Sequence, residues 1–456
     1  MDESDVPAID SLGFNRDRFE IRQRSVEPRS PQQASAMSTR LTAPVSIAAT
    51  SAQTTSGAAP WGGIFGRRWM TGTLACLVLT GLPLTIAASP LAAQEVSAPE
   101  STPESAPEPE PAAGDRSEQV REIANRGIEF LISQGQAANG AFSPESGTAV
   151  TSLCVSAILR HRPEARETPA IKQALAFIEA NIRGDGGIYA DGSLFKNYET
   201  CVAVDALIQA NEGQQYDSAL SRARLFIRGL QWDETEGLTA ADPAYGGAGY
   251  GTHQRPDLSN TAFMVEALRQ LGDQADDEAI QKALLFISRT QNLAGHGNDT
   301  EHADAVGDGG FYYTPAAGGS SQAGTTASGG LRSYASMTYA GLKSMIFAGL
   351  TQDDPRVAAA LDFIRQNYSL ETNPGMGDAG LYYYYHTFAK ALAAAEIDIL
   401  DDDEGTPHVW RDDLVRTLAS HQRPDGSWVN RTNERWMEGN RNLVTAYALL
   451  ALAYCR

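Results

Sequence analysis

A short word recurs along the last three quarters of this chain: a Thr in an apolar stretch, with Ala or Ser six residues later. The copies are Thr151 with Ala157, Thr200 with Ala206, Thr261 with Ala267, Thr338 with Ser344, Thr387 with Ala393 and Thr445 with Ala451. The fourth residue after each Thr is Val155, Val204, Val265, Leu342, Ala391 or Leu449, so each copy marks one face of an α-helix. Few folds accommodate six such helices.

A second word precedes the copies. It reads NGAF at Asn139, DGGIY at Asp185, DGGFY at Asp308, DAGLY at Asp378 and DGSW at Asp425, with YGGAGY at Tyr245 as a variant. Its Gly residues supply the positive φ that stops a helix and turns the chain. Before that turn lies a helix with a single apolar stripe, such as Ile171, Leu175, Ile178 and Ile182, or Val357, Leu361, Ile364 and Tyr368. The unit is therefore amphipathic helix, Gly turn, apolar helix, repeated about six times. Helices apolar on most sides must be buried. An all-α closed ring, an α/α toroid (α6/α6 barrel) with apolar helices inside, achieves this, whereas an open superhelix leaves them exposed along a groove.

The remaining chain organises around that ring. Residues 1–66 are polar and Pro/Ser-rich without an apolar period, which predicts a disordered extension. Arg67 and Arg68 precede an apolar run from Trp69 to Ala93 that ends in small residues. The segment 67–94 reads as an export signal cleaved near Ala93, with an uncleaved membrane anchor through 69–93 as the alternative. A signal in that place puts the true start at Met37 or later and the folded part in the periplasm or cell envelope. Residues 95–114 form a Pro/Glu-rich tether, and 115–456 form the toroid. A net charge of −20 with no basic block argues against nucleic acid as a partner.

Several polar clusters have plain structural readings. Cys154, Cys201 and Cys455 lie in apolar helices and read as small buried hydrophobes. Asp276–Asp277, Asp353–Asp354 and Asp401–Glu404 stand before outer helices, where an Asp caps. His296, Asp299, Glu301, His302, Asp304 and Asp308 share the long Gly-rich connection 291–330, which reads as a solvated loop with cation binding as the alternative. No metal set and no cofactor is predicted.

A ligand site is expected where the inner helices begin, since helix N-termini offer backbone N–H groups. The polar positions there include Tyr198, Glu199, Ser259, Asn260, Tyr385 and His386. Aromatics nearby include Tyr250, Tyr312, Tyr313, Tyr334, Tyr339, Tyr382 to Tyr385 and Trp436, whose faces suit a cation or serve as core.

Three motifs resemble the superfamily of terpenoid cyclases and protein prenyltransferases. YYYYHTFAKAL at Tyr382–Leu392 is similar to the prenyltransferase segment holding a zinc-binding His, here His386. YGGAGYGTHQRPDLSNTAFMVEAL at Tyr245–Leu268 resembles their Gly-rich turn and inner helix, and LRSYASMTYAGL at Leu331–Leu342 their Arg-Ser segment. DLSNTA at Asp257–Ala262 occupies the register of the acidic motif of squalene-hopene type cyclases, with Ser259 where those enzymes carry their general acid. No Cys accompanies Asp308 to complete a zinc set.

The resemblance implies a toroid acting on or binding an isoprenoid or other small apolar ligand, as a transferase or cyclase relative. Asp257 and His386 are the candidate catalytic residues. Tyr198, Glu199, Asn260, Arg332, Tyr334, Tyr385, Glu438 and Asn442 are the candidate substrate-binding residues. A non-catalytic ligand- or protein-binding scaffold on the same fold is the alternative, and carbohydrate lyase or hydrolase chemistry on an α/α barrel is a third.

Overall fold

The computed structural model describes residues 113–251 and 255–456. The extension, signal and most of the tether lie outside the described residues. Among the latter, no helix is long and apolar enough to cross a membrane.

Six inner helices form the wall of the bore: α2 (Ala149–His161), α4 (Lys196–Ala210), α6 (Leu258–Gln270), α8 (Ala335–Phe347), α10 (Leu381–Ala394) and α12 (Arg441–Leu452). Each packs on the next, and α12 returns to α2, which closes the ring. Outside them lie α1 (Ala113–Phe130), α3 (Pro169–Glu179), α5 (Asp217–Arg228), α7 (Glu278–Arg289), α9 (Pro355–Gln366) and α11 (Trp410–His421). The fold is thus a closed α/α toroid of six helical hairpins. Burial follows the sequence pattern: α3 buries only the stripe Ile171, Ala174, Leu175 and Ile178, whereas α2 is buried continuously from Ala149 to Leu159. Fully burying a large aliphatic or aromatic side chain contributes about 1.5–3 kcal/mol, so the double-sided inner helices hold most of the hydrophobic stabilisation.

The recurring Thr is a clip. The turn amides of Phe142, Ile188, Ala248, Phe311 and Trp428 donate to Thr151, Thr200, Thr261, Thr338 and Thr445 Oγ1 at 3.0–3.1 Å. The Asn or Asp of the turn word accepts from the amide two residues on, at Asn139, Asp185, Asp308 and Asp425. Gly246, at φ +85°, lies against the Lys282 carbonyl of the next outer helix, where a Cβ would overlap it. A buried Gln ties turn to outer helix: Gln231 Nε2 donates to the Gly246 and Ala279 carbonyls, both at 2.9 Å. Gln136, Gln291 and Gln422 repeat that bridge.

The fifth hairpin departs from the pattern. The turn Asp378–Gly380 runs directly into the helix, which starts at Leu381 with Gly380 as N-cap at φ +68°. Thr387 therefore has no turn amide to clip, and its Oγ1 donates to the Tyr383 carbonyl at 3.0 Å. Tyr384 and Tyr385 hold the connection instead, their hydroxyls donating to the Ser369 and Leu370 carbonyls at 2.7 and 2.6 Å. Asp277 and Asp354 cap α7 and α9 as the sequence implies. Asp401–Glu404 does not cap α11: it forms a hairpin turn between Leu400–Asp401 and Pro407–His408, with Asp402 Oδ1 accepting the Glu404 and Thr406 amides. Cys154, Cys201 and Cys455 are buried free thiols.

Candidate functional site

At the N-terminal ends of the inner helices many of the backbone amides are already engaged by side chains of neighbouring segments. Glu199 Oε2 accepts from the Thr148 amide (2.8 Å), the Thr148 hydroxyl (2.8 Å) and the Ala190 amide (3.0 Å), joining the start of α2 to the next turn. Glu438 Oε1 accepts the first amides of α10, from Tyr382 and Tyr383, both at 2.9 Å. Burial, opposed by these donors, holds its carboxyl above the ordinary Glu range. Asn373 Oδ1 accepts the Ser336 amide at the start of α8 (3.1 Å). Asn440 caps α12. The ring is closed by side chains as well as by helices, each start being tied down by a neighbouring segment.

These bonds relocate several sequence candidates. Glu199, Glu438 and Asn442 act as braces, Asn442 Nδ2 donating to the Gly135 carbonyl (2.9 Å) and Ser143 Oγ (3.0 Å). Tyr385 is turned toward the α9–α10 connection and Arg332 is exposed, its Nε on the Thr325 carbonyl at 2.9 Å. In the long connection Asp299 pairs with Arg289, and Asp308 accepts from the Gly310 amide and the Ser333 hydroxyl. Among the described residues no group of His, Cys, Asp and Glu is arranged to hold a metal ion.

Asp257 and Asn260 do meet. Asp257 caps α6, Oδ1 accepting the Asn260 amide at 2.9 Å and Oδ2 the Asn260 Nδ2 at 2.8 Å. Burial pushes the carboxyl up to about 6, against the Asn260 donors and the Tyr313 hydroxyl, which favour the charged form. Tyr250, Tyr313, Tyr334 and Tyr383 surround it closely enough that its charge raises their own hydroxyls.

Below that mouth the bore carries an aromatic layer. Tyr383 and Ser259 hydroxyls bond at 3.0 Å, as do Tyr198 and Tyr447. Phe263 meets Tyr198 edge-on at 5.0 Å and lies 6.4 Å from Tyr383. His386 stacks on Tyr447 at 5.8 Å, and its Nδ1 is buried without a hydrogen-bond partner among the described residues. Burial, and then Lys343 and Arg160, push the imidazole down to about 3, so it is neutral at physiological pH. Exposed apolar side chains flank the same end: Phe195 as the α4 N-cap residue, and Trp436 and Met437 before α12.

Deeper still is a charged layer. Lys343 Nζ lies 2.7 Å from Glu266 Oε2, and Lys390 pairs with Oε1 of the same carboxylate. Arg160 Nη2 lies 2.7 Å from Asp205 Oδ1, which also accepts from Gln270 Nε2 at 3.0 Å. Burial opposes ionisation of Asp205, but Arg160 and Lys390 hold its carboxyl well below the usual range. Burial pushes both lysines down to about 7, opposed by Cys201 at Lys343 and by Asp205 at Lys390. A small void lies at this level, lined by Asp205, Phe263, Glu266, Gln270, His386 and Lys390 among others. At its widest it admits about one water molecule.

Sequence reasoning overlooked this layer. Asp205, Glu266 and Lys343 stand five residues after Thr200, Thr261 and Thr338, charges interrupting helices that otherwise read as apolar. A buried helix carries such residues only where they are paired or used.

No family model matches the chain, and neither does any curated protein. Solved structures with a likeness to it include a type II terpene cyclase, MstE from Scytonema, at 14% identity and TM-score 0.42, covering 75% of this chain and 98% of that one. A protein from Actinoplanes is similar at 15% identity and TM-score 0.42 over 74% of this chain and 99% of its own. A possible member of the GH105 family from Salmonella enterica has 11% identity and TM-score 0.44 over 76% and 95%. At TM-scores below one half, it is the closed order of helices, not these likenesses, that establishes the toroid.

Proposed function

We propose that the protein is an exported toroid that takes a small, elongated, isoprenoid-like molecule into its bore. The observation that carries this reading is the aromatic layer of Tyr198, Phe263, Tyr383 and Tyr447, reached from a mouth flanked by exposed Phe195, Trp436 and Met437. Such faces desolvate an apolar chain and tolerate positive charge developing on it. MstE, an enzyme of comparable architecture, has been seen in complex with geranylgeranyl dihydroxybenzoate. Export rests on the apolar run after Arg67 and Arg68.

Binding is better supported than turnover. Asp257 is the acid at the mouth, but both of its oxygens accept hydrogen bonds from Asn260, which favour the ionised form and so reduce the fraction that carries a proton to give. Glu199, Glu438 and Asn442, the other polar groups at this end, are engaged in closing the ring. A non-catalytic ligand-binding toroid is therefore the form of the proposal that these bonds favour.

The test is native mass spectrometry of the full chain incubated with farnesol, with Phe263→Asp as comparison. Retention of one farnesol per chain, abolished by the substitution while the circular dichroism melt stays cooperative, is the expected result. No retention, or retention indifferent to Phe263→Asp, overturns the proposal.

A further inference from the structure

The connection between α7 and α8 sends a flap, residues 314–332, to the mouth end of the ring. Much of its bonding is internal. Thr314 and Ser320 exchange backbone hydrogen bonds at 3.1 and 2.8 Å, Ser321 Oγ donates to the Arg332 carbonyl at 2.6 Å, and the Arg332 amide donates to the Gly324 carbonyl at 3.1 Å. The foot is fixed at the start of α6, Thr314 Oγ1 donating to the Pro256 carbonyl at 2.7 Å. The tip is held by two arginines. Arg255 Nη1 donates to Ser320 Oγ at 3.0 Å, and Arg435 Nη2 donates to Gln322 Oε1. Arg255 stands ahead of α6 and Arg435 ahead of α12, helices three places apart in the ring of six and so opposite each other. A tip that both reach, at residues two positions apart, lies between the two sides of the opening.

We propose that this flap is a lid, closed here, and that a molecule enters the bore when Arg255 and Arg435 let go of Ser320 and Gln322. The inference deepens the proposed function and rests on it for what enters. Position supports it. Arg255 lies 5.9 Å over the Tyr313 ring, Arg435 is close enough for its charge to act on the Tyr334 hydroxyl, and both tyrosines surround Asp257. The lid thus sits over the acidic end of the bore. Its fastening is light: both arginines are exposed, and bonds between exposed side chains contribute little. Ala323 alone of the tip's apolar side chains packs on the core, and it is half-buried, whereas Ala317 is exposed. Gly318 and Gly324, at φ +83° and +78°, flank the tip and have open space where a Cβ would stand. The bore beneath has a void for about one water, so a larger guest enters only if part of the wall or mouth moves.

The first experiment holds the lid shut. Gln322→Cys and Arg435→Cys are combined in a Cys76→Ser background, the other three thiols being buried. The pair is bridged with ethane-1,2-diyl bismethanethiosulfonate, which a reductant removes, and uptake of farnesol by the full chain is followed over time by native mass spectrometry. Bridging is expected to slow uptake at least about tenfold and reductant to restore it. Equal rates with and without the bridge overturn the lid while leaving the apolar-ligand proposal standing. A second measurement needs no ligand and serves alone if the pair cannot be bridged. Ser259→Cys, in the same Cys76→Ser background, places a thiol in the bore beside Tyr383, and its labelling by aminoethyl methanethiosulfonate reports access. Arg255→Ala combined with Arg435→Ala should speed that labelling at least about tenfold while the circular dichroism melt stays cooperative. Labelling that the two substitutions leave unchanged overturns the lid whatever farnesol does. If no form of the chain takes up farnesol but labelling speeds up as expected, the lid stands and the apolar-ligand proposal falls.

Discussion

Replacing Asp257 by Asn should stabilise the protein above neutrality, and the size of the gain follows from the site. The carboxyl is 2% exposed, and burial raises it from an ordinary 3.8 to about 6. Below about pH 4 it is protonated in both folded and unfolded chains and contributes no pH dependence. Between about 4 and 6 the unfolded chain ionises first, so the folded state loses ground as pH rises, and above about 6 the loss is complete. Two units correspond to about 3 kcal/mol. Asn keeps the capping oxygen for the Asn260 amide. Its new amide donor faces Asn260, whose own Oδ1 is buried without a partner among the described residues and can be turned toward it. Urea unfolding of both proteins across pH 4 to 8 gives a difference curve. The variant should gain up to about 3 kcal/mol between about pH 4 and 6 and hold that gain above. A flat difference, or wild type the more stable at high pH, would refute the account of Asp257 as a carboxylate held in an apolar site.

Other expectations follow from single bonds. Glu438→Ala strands the Tyr382 and Tyr383 amides and removes one of the two acceptors of Asn430 Nδ2, which should destabilise by about 3–5 kcal/mol in urea melts, with Glu438→Gln recovering part of the loss. Gly246→Ala forces a Cβ onto the Lys282 carbonyl at a left-handed φ, and at least about 3 kcal/mol should be lost by the same measurement. His386 should not titrate between about pH 5 and 8 in proton NMR. His386→Phe, which keeps the stack on Tyr447 and removes the orphaned nitrogen, should alter stability by less than about 1 kcal/mol.

The ring was legible because its logic is periodic. Thr, Asx-Gly turn and apolar face recur at regular positions in the sequence, and in five of the six hairpins the Thr clips the turn that precedes it. The bridging Gln136, Gln231, Gln291 and Gln422 were not recognised, although Gln136 and Gln422 stand four residues before Gly140 and Gly426. The site was less legible. Polarity near an inner-helix start marked Glu199, Glu438 and Asn442 as ligand groups, yet polarity cannot separate a residue that faces the bore from one that ties two helix ends together. That distinction is rotational, a matter of which side of the helix the residue occupies. Asp257 and Asn260 were found together because they stand three positions apart at a helix start, the one case where spacing dictates contact. Lys390 and Glu266 are 124 positions apart, and only closure of the ring brings them into contact.

Closure also explains why the bore is layered. Six helices in a ring cannot meet at the axis as two packed helices do, so side chains must fill the centre. Large rings such as Tyr198, Phe263, Tyr383 and Tyr447 reach inward in one layer. In the next, long charged chains from α6, α8 and α10 converge on a single carboxylate. Aliphatic residues of the length available at these positions would leave a dry cavity, whereas Lys and Glu span it and satisfy each other. Their exchange for apolar residues would be tolerated, since a buried ion pair adds little over a well-packed hydrophobic replacement. Lys343→Met combined with Lys390→Met and Glu266→Met should therefore fold and lose no more than about 2 kcal/mol in urea melts, whereas Glu266→Met alone strands two buried ammonium groups and should cost about 3–5 kcal/mol.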